Sequence, residues 1–170
     1  EEGLGCDTAW YEGENIIDFR NTAIEIMLKY GHDGNLNTSQ CGMSIKYKNN
    51  TYLYIALKIP YIIVYNGNVK GDVVNILQQE KVDNLTINDV QIYYHNLRVD
   101  TFNGNMNISM ADNVIINDLP IDFGASANIG LFVCNTNMAI SSLLMSDINY
   151  AEIITNDIST TSQPAEKFTC

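Results

Sequence analysis

The sequence predicts an all-β domain built from two layered antiparallel sheets. Apolar and polar residues alternate along several short segments, as they do in strands that bury one face. Asn, Asp and Gly residues that favour turns separate these segments, and Pro occurs only three times, too rarely to break them. The sequence shows no heptads and no internal repeat. Short alternating strands with frequent turns favour a two-sheet sandwich.

The middle of the chain carries the clearest alternation. Leu97 and Val99 take one face of a predicted strand, and Arg98 and Asp100 take the other. An Asn-Gly turn follows at 103–104, because both residues tolerate the positive φ that a tight hairpin needs. The strands predicted after that turn are 106–110, 114–116 and 129–133. This region is therefore predicted to be an antiparallel meander.

The flanking segments supply the remaining predicted strands. Trp10 marks a short first strand, where its ring fits a core position better than a ligand platform. Further strands are predicted at 16–19, 22–30, 41–48, 51–59 and 61–65, with a hairpin turn at 66–68. Segment 73–79 fits a strand or a helical turn, and 84–89 fits a short strand or loop. Closing strands are expected over 139–154, with Ile148, Tyr150 and Ile153 in the core.

Composition indicates one globular domain spanning residues 1–170. The chain is 46% hydrophobic and 17% charged, with a formal net charge of −11. Such acidity argues against nucleic acid, anionic membranes and sulfated glycans as partners, since each of these prefers a basic patch. The apolar zone Tyr52–Tyr65 is interrupted by Lys58 and Pro60 and is too short to span a membrane. We expect no direct membrane insertion and a domain excised from a larger extracellular protein.

The chain has four widely spaced cysteines, which limit the disulfides that it can form: Cys6, Cys41, Cys134 and Cys170. They form no CxxC motif or cluster with His, which argues against a zinc site. An even count suits two disulfides in a secreted protein, although free buried thiols in a cytosolic protein are the alternative. Four cysteines allow three pairings, and their spacing alone does not choose among them.

Four N-x-S/T sequons support an extracellular location, expected as secreted or at the cell surface. Their acceptor residues are Asn37, Asn49, Asn84 and Asn107. The first three fall in predicted turns or loops, and Asn107 lies on the polar face of its strand. A chain this rich in Asn also produces sequons by chance, so their use is an expectation only.

Two tyrosines, Tyr52 and Tyr54, are candidate ligand-binding residues. They share one face of a predicted strand, opposite the aliphatic Leu53, Ile55 and Leu57. The aliphatic face is the better core candidate, which would leave both tyrosines on an exposed sheet face suited to sugar stacking or protein contact. Burial of the same rings is the alternative.

A metal site is expected only at Asp33. The segment beginning Asp33-Gly34-Asn35 starts like a calcium-binding EF-hand loop, but Thr38 and Ser44 occupy the positions that require Gly and Glu. An ordinary turn is therefore the simpler interpretation. We expect no cofactor, with calcium at Asp33 as the one possibility.

The central residues also carry a resemblance. The chain resembles the concanavalin A-like (laminin G-like) jelly-roll modules over about 16–150. The segments that carry the resemblance are Tyr93–Asp118, Ala127–Val133, and, upstream, Gly42–Tyr47 and Thr51–Leu57. The resemblance implies a jelly-roll sandwich whose first and last strands lie side by side. It thereby implies disulfides Cys6–Cys170 and Cys41–Cys134, and it places Asp33 where a rim calcium would sit.

The resemblance and the absence of catalytic motifs together shape the expected function. Jelly-roll glucanases carry their carboxylates as E-x-D-x-E, and no such run occurs here. Serine-hydrolase elbow, zinc-protease, P-loop and dinucleotide motifs are also absent. We expect a non-catalytic recognition or adhesion module that contacts a protein partner. The alternatives are a lectin that binds a cell-surface glycan and, less favoured, a glycoside hydrolase.

Overall fold

The computed structural model describes residues 6–11, 21–30, 39–48, 51–123, 127–147, 162–164 and 168–169. These residues form thirteen strands and one short helix. In chain order the elements are β1 Cys6–Tyr11, β2 Asn21–Tyr30, β3 Gln40–Tyr47, β4 Thr51–Lys58, β5 Tyr61–Gly67, β6 Val73–Lys81, α1 Ile87–Ile92, β7 His95–Phe102, β8 Asn105–Met110, β9 Asn113–Pro120, β10 Ala127–Cys134, β11 Met138–Asp147, β12 Ser162–Pro164 and β13 Phe168–Thr169.

The strands form two antiparallel sheets, which confirms the predicted fold class. The seven-stranded sheet has the order β13-β1-β10-β3-β4-β5-β6, and the six-stranded sheet has the order β12-β11-β2-β7-β8-β9. The predicted meander is confirmed for β7-β8-β9 but is wrong for the strand at 129–133, because β10 lies between β1 and β3 in the other sheet. β1 pairs with β13 through Trp10 and Thr169, so the first and last strands are neighbours, as the resemblance implied.

The main core lies between the two sheets. Alternation along each strand sends one set of side chains inward, because successive residues point to opposite faces. Ile24, Ile26 and Leu28 on β2 are fully buried. Leu53 and Leu57 on β4 are equally buried from the opposite layer, which confirms that the aliphatic face of β4 is the core face.

The segment predicted as a short strand or loop at 84–89 differs from expectation, because it leads into helix α1. Thr86 is the N-cap, and its hydroxyl accepts a hydrogen bond from the backbone N–H of Asp89. The Asp89 carboxylate accepts one in return from the backbone N–H of Thr86, which completes a capping box. Val90 anchors the helix in the core. A helix this short shows no periodicity in the sequence.

The β5–β6 turn also lies later than predicted. Asn66 and Gly67 continue strand β5, and the chain reverses over 68–72. The Oδ1 atom of Asn68 accepts hydrogen bonds from the backbone N–H groups of Lys70 and Asp72. An Asn side chain that satisfies backbone groups ahead of it fixes a turn, and this bonding selects the later position.

The predicted disulfide pairing is wrong. Cys6 lies directly opposite Cys134 in the β1–β10 ladder and is bonded to it. Cys41 lies opposite Val133, one residue out of step with Cys134, and therefore points to the other face of the sheet. It is a buried free thiol. Cys170 lies outside the described residues.

Several other expectations also fall outside the described residues. These are the strand at 16–19, the possible calcium ligand Asp33, and the core positions Ile148, Tyr150 and Ile153. No described helix is long and apolar enough to cross a membrane.

Candidate functional site

The outer face of the six-stranded sheet carries a partly exposed charged group at its centre. Strands β2 and β7 pair so that Glu25 lies opposite Arg98, and Ala23 lies opposite Asp100. Their inward neighbours Ile24 and Val99 are fully buried, so Glu25, Arg98 and Asp100 project away from the core. We call these three residues the Arg98 cluster.

Within the Arg98 cluster, the guanidinium bridges two carboxylates. The Nε atom of Arg98 donates to both oxygens of Asp100, at 2.8 and 3.1 Å. Its Nη1 atom donates to Oε1 of Glu25 at 3.3 Å. The side chains of Arg98, Glu25 and Asp100 remain 39%, 30% and 24% exposed, so a ligand from solvent can reach all three.

This arrangement holds hydrogen-bonding groups in fixed directions. Arginine has five N–H donors, and no described residue accepts from Nη2 of Arg98. The two carboxylates accept only, and each oxygen has more than one lone pair. A sugar hydroxyl both donates and accepts, so adjacent hydroxyls can bond to the carboxylates and the guanidinium together.

Burial and charge act in opposite directions on the pKa values of the cluster. Burial raises the pKa of the Asp100 carboxyl, and this effect outweighs the neighbouring Arg98 charge, which lowers it. For Arg98, burial lowers the pKa, but the Asp100 and Glu25 charges outweigh it and the net shift is upward. The arginine therefore stays charged, while Asp100 is more easily protonated than an exposed aspartate.

Polar side chains extend the face toward β8 and β9. Ser109 lies opposite Arg98, and Asn107 lies opposite Asp100. The Oδ1 atom of Asn107 accepts a 2.7 Å hydrogen bond from the backbone N–H of Asp118, where the β8–β9 register shifts. Asn107 is thus a half-buried part of this face as well as a sequon acceptor.

Aromatic residues lie just before the start of β7, at the end of the face that is away from Asp100. The Lys29 ammonium lies 4.9 Å from the centroid of the Tyr94 ring. Tyr94 is 39% exposed, and its neighbour Tyr93 is 64% exposed. Both rings follow helix α1 and immediately precede β7.

Tyr52 and Tyr54, the candidate ligand-binding tyrosines, lie on the seven-stranded sheet. The exposure predicted for Tyr54 is wrong, because Tyr54 is fully buried. Its ring stacks on Tyr65 and meets Phe132 edge-on, in a small second core on the outer side of the seven-stranded sheet. The alternation correctly assigned Tyr54 to the outer face. The loop 68–72 covers that face, as the hydrogen bond from Tyr54 to the carbonyl of Asn68 shows.

Tyr52, the second of that pair, is half-buried. Its ring centroid lies 6.0 Å from that of Trp10, and the Lys46 ammonium lies 6.0 Å from it. Trp10 is therefore a partly buried outer-face residue rather than a plug of the main core, since it lies over Gly130. This pair offers aromatic surface but few free polar groups, unlike the Arg98 cluster.

A cleft of about 460 Å³ lies between the sheets, beside β1, β10 and β11. Apolar side chains such as Leu131, Val133, Ile140 and Leu143 form most of its lining, and the polar residues are Asp7, Asn137, Ser141 and Ser142. Apolar side chains therefore predominate in this cleft, in contrast to the charged Arg98 cluster.

The structure places two of the four sequon acceptors. Asn84 is exposed in a turn with φ of 61°, and Asn107 lies on the six-stranded sheet. Asn37 and Asn49 lie outside the described residues. Across the part of the chain that the structure describes, no three His, Cys, Asp or Glu residues are grouped to hold a metal ion.

Sequence reasoning missed the Arg98 cluster as a site. Alternation put Arg98 and Asp100 on the outer face of one strand and Glu25 on the outer face of another. The missing information was that β2, far earlier in the chain, pairs with β7. No local pattern reveals a pairing between strands so distant in sequence.

Comparison with solved structures assigns the fold to a known class, whereas neither family models nor curated proteins give a match. A carbohydrate-binding module, CBM66 from Bacillus subtilis, matches with a TM-score of 0.58 and 12% identity over 85% of this chain and 83% of that one. The carbohydrate recognition domain of Emp46p matches with a TM-score of 0.61 and 10% identity over 82% and 77%.

A third similar structure is a Bacteroides ovatus GH16 protein of a mixed-linkage glucan locus, solved with an oligosaccharide product. It has a TM-score of 0.58 and 12% identity over 82% of this chain and 79% of that one. At such low identity the likeness establishes the architecture alone. Together with the strand order described above, it shows that this chain has the concanavalin A-like jelly-roll fold.

Proposed function

We propose that this chain is a lectin-like carbohydrate-binding module that holds a glycan on the outer face of its six-stranded sheet. The observation that carries the proposal is the Arg98 cluster, a partly exposed guanidinium fixed between Glu25 and Asp100. Similar folds that are named for carbohydrate binding support it. The cluster supplies the oriented donors and acceptors that sugar hydroxyls require.

Charge favours a neutral glycan as the ligand. The two carboxylates and one guanidinium of the Arg98 cluster sum to a charge of −1, and the whole chain carries −11. An anionic sugar would meet like charge at the centre of the face. Sulfated, sialylated and uronic-acid glycans are therefore disfavoured.

This proposal moves glycan binding ahead of the protein contacts that we expected first from the sequence. Nothing in the structure conflicts with a protein partner, but no described surface identifies one. We also propose an extracellular location, secreted or at the cell surface. The Cys6–Cys134 disulfide supports it, because such bonds persist in oxidising compartments.

A glycan array followed by calorimetry tests the proposal. The full chain is screened with and without calcium against neutral and anionic glycans, and each hit is titrated with Arg98→Ala and Asp100→Asn variants. Loss of a charge-assisted hydrogen bond predicts affinity reduced about tenfold to a hundredfold. Lys48→Ala, which breaks an exposed ion pair with Asp122, is the matched control and should bind normally.

A null array, or unchanged affinity in both cluster variants, would refute the proposal. Thermal unfolding of each variant checks that the sheet is intact. Removal of Arg98 leaves two carboxylates without their shared partner, so Asp100→Asn provides the milder second test.

A glycoside hydrolase is the second candidate, favoured by one observation. Glu25 and Asp100 share Arg98 as a partner, and the pKa of Asp100 is raised by burial, as a general acid requires. Release of reducing ends from mixed-linkage glucan, abolished by Glu25→Gln or Asp100→Asn, would establish hydrolysis. Binding without turnover would leave the lectin proposal standing.

A further inference from the structure

The Arg98 cluster is one part of a longer row of outward residue pairs. The β2–β7 register pairs Ala23 with Asp100, Glu25 with Arg98, and Met27 with Asn96. The next pair in this register joins Lys29 to Tyr94, one step beyond the end of the ladder at Leu28 and His95. Although the ladder ends at Leu28 and His95, the Lys29 ammonium lies 4.9 Å from the centroid of the Tyr94 ring, so the two side chains meet just beyond it.

Helix α1 fixes the position of the aromatic end of this row. Helix α1 precedes Tyr93 and Tyr94, and its residue Val90 is fully buried. The Thr86 capping box fixes the start of the helix, and the backbone N–H of Tyr93 donates to the carbonyl of Asp89 at its end. The Tyr94 ring is therefore held against the sheet while part of it faces solvent.

The distance along the row exceeds the size of one sugar ring. From Glu25 to Lys29 is four residues along a strand, which corresponds to about 13 Å. Met27 and Asn96 lie between them, both half-buried, and Asn96 offers an amide. A monosaccharide bound at Arg98 cannot reach Tyr94, whereas a linear chain of sugars can contact both ends.

The Tyr94 ring is suited to the apolar side of a sugar. The face of an aromatic ring is electron-rich and attracts cations and polarised C–H groups. Lys29 lies over the ring, and 39% of the residue remains exposed for a second contact. A sugar ring has hydroxyls at its rim and C–H groups on its faces, so it can stack here while other units of the same chain bond to the polar cluster.

We propose that this row is one elongated binding strip whose ligand is a neutral oligosaccharide, with the Arg98 cluster and Tyr94 as separate subsites. This inference rests on the proposed function and adds the ligand class to it. A strip with subsites about 13 Å apart binds longer chains more tightly, until the ligand spans both ends.

Calorimetric titration with ladders of β-gluco-oligosaccharides and fructo-oligosaccharides, from monosaccharide to hexasaccharide, tests the strip. In the unaltered chain, affinity should rise with length and then level off. Tyr94→Ala should weaken the longer ligands about threefold to tenfold and leave the shortest unchanged, whereas Tyr94→Phe should retain most of the gain. Arg98→Ala should weaken every length.

Tyr61→Ala is the matched control, because Tyr61 is 37% exposed but lies on the seven-stranded sheet. It should bind like the unaltered chain. Affinity that is independent of length, or a Tyr94→Ala loss equal at all lengths, would overturn the strip and leave the single site at Arg98 intact. Absence of binding to any saccharide would overturn the strip and the proposed function together.

Discussion

The Tyr54 hydroxyl donates a 2.7 Å hydrogen bond to the backbone carbonyl of Asn68. Tyr65, stacked on Tyr54, makes the equivalent bond to the carbonyl of Gly71 at 2.9 Å. Two buried rings thereby hold the 68–72 turn over the outer side of the seven-stranded sheet. The turn covers the part of that face around Tyr54 and Tyr65, so these two rings are not available to a ligand.

These tyrosines predict sensitivity to alkali. Burial, followed by the neighbouring Tyr52, raises the pKa of Tyr54 to about 12, and burial raises the pKa values of Tyr30 and Tyr65 as well. Unfolded tyrosine ionises near pH 10. Above that pH the unfolded state binds fewer protons than the folded state, so the free energy of unfolding should fall between about pH 10 and 12.

Urea unfolding at a series of pH values measures this loss. Tyr54→Phe should reduce the alkaline slope, while it lowers stability by about 1 kcal/mol at neutral pH because the bond to Asn68 is lost. Tyr61→Phe, at a partly exposed ring, should leave the stability at neutral pH unchanged. An unchanged slope in Tyr54→Phe would show that Tyr54 ionises alike in both states.

The disulfide provides a second prediction. Cys6 and Cys134 close a loop with a sequence separation of 128, so their joint replacement by Ala should lower the free energy of unfolding by about 2–5 kcal/mol. Reduction of the unaltered chain should give a similar loss and have no further effect on the double variant.

Peptide mapping without reduction tests the pairing itself. The Cys6 and Cys134 peptides should be linked, and Cys41 should react with an alkylating agent only after unfolding, because it is buried and burial raises the pKa of its thiol. A Cys41–Cys134 link would contradict the structure.

Two glycines should respond differently to alanine. A Cβ at Gly42 would run into the backbone carbonyl oxygen of Ile55, which cannot move without disturbing the β3–β4 ladder. We expect Gly42→Ala to lower the free energy of unfolding by about 1–3 kcal/mol or more. A Cβ at Gly104 would meet no other atom, and only the positive φ of 79° disfavours alanine there. Gly104→Ala should therefore lower the free energy of unfolding by about 1 kcal/mol. Chemical denaturation compares them, and equal losses would contradict this ranking.

The helix cap provides a fourth prediction. Thr86→Ala removes the hydroxyl that accepts from Asp89 and should lower stability by about 0.5–2 kcal/mol. Thr86→Ser keeps the cap and is the control. Faster amide exchange in α1 should accompany the loss, and a stable Thr86→Ala variant with unchanged exchange would show that tertiary packing alone holds the helix.

Much of the architecture was predictable because it follows from alternation. Residues of β2, β4, β7 and β8 showed their buried and outward faces directly, and the turn at Asn103-Gly104 was located by its chemistry. Helix α1 was not predicted, because a six-residue helix depends on a capping box and the burial of Val90 rather than on periodicity. Tyr54 was placed on the correct face, but the loop that buries it was not foreseen.

The candidate site was less predictable than the fold. The sequence placed Glu25, Arg98 and Asp100 on outward faces, yet nothing in it joined the first to the other two. The same gap explains the cysteines. Cys41 and Cys134 occupy neighbouring strands, but a single step of register sends their side chains to opposite faces.

The sequence by itself determined most strands, the faces that they bury and the acidic composition, because each follows from the order or kind of residues within single segments, and the jelly-roll class was implied by the family resemblance. Only the tertiary structure decided which outward residues meet, which cysteines bond and which aromatic rings stay exposed. Those outcomes depend on strand order and register between segments far apart in the chain, and local residue patterns carry no record of either.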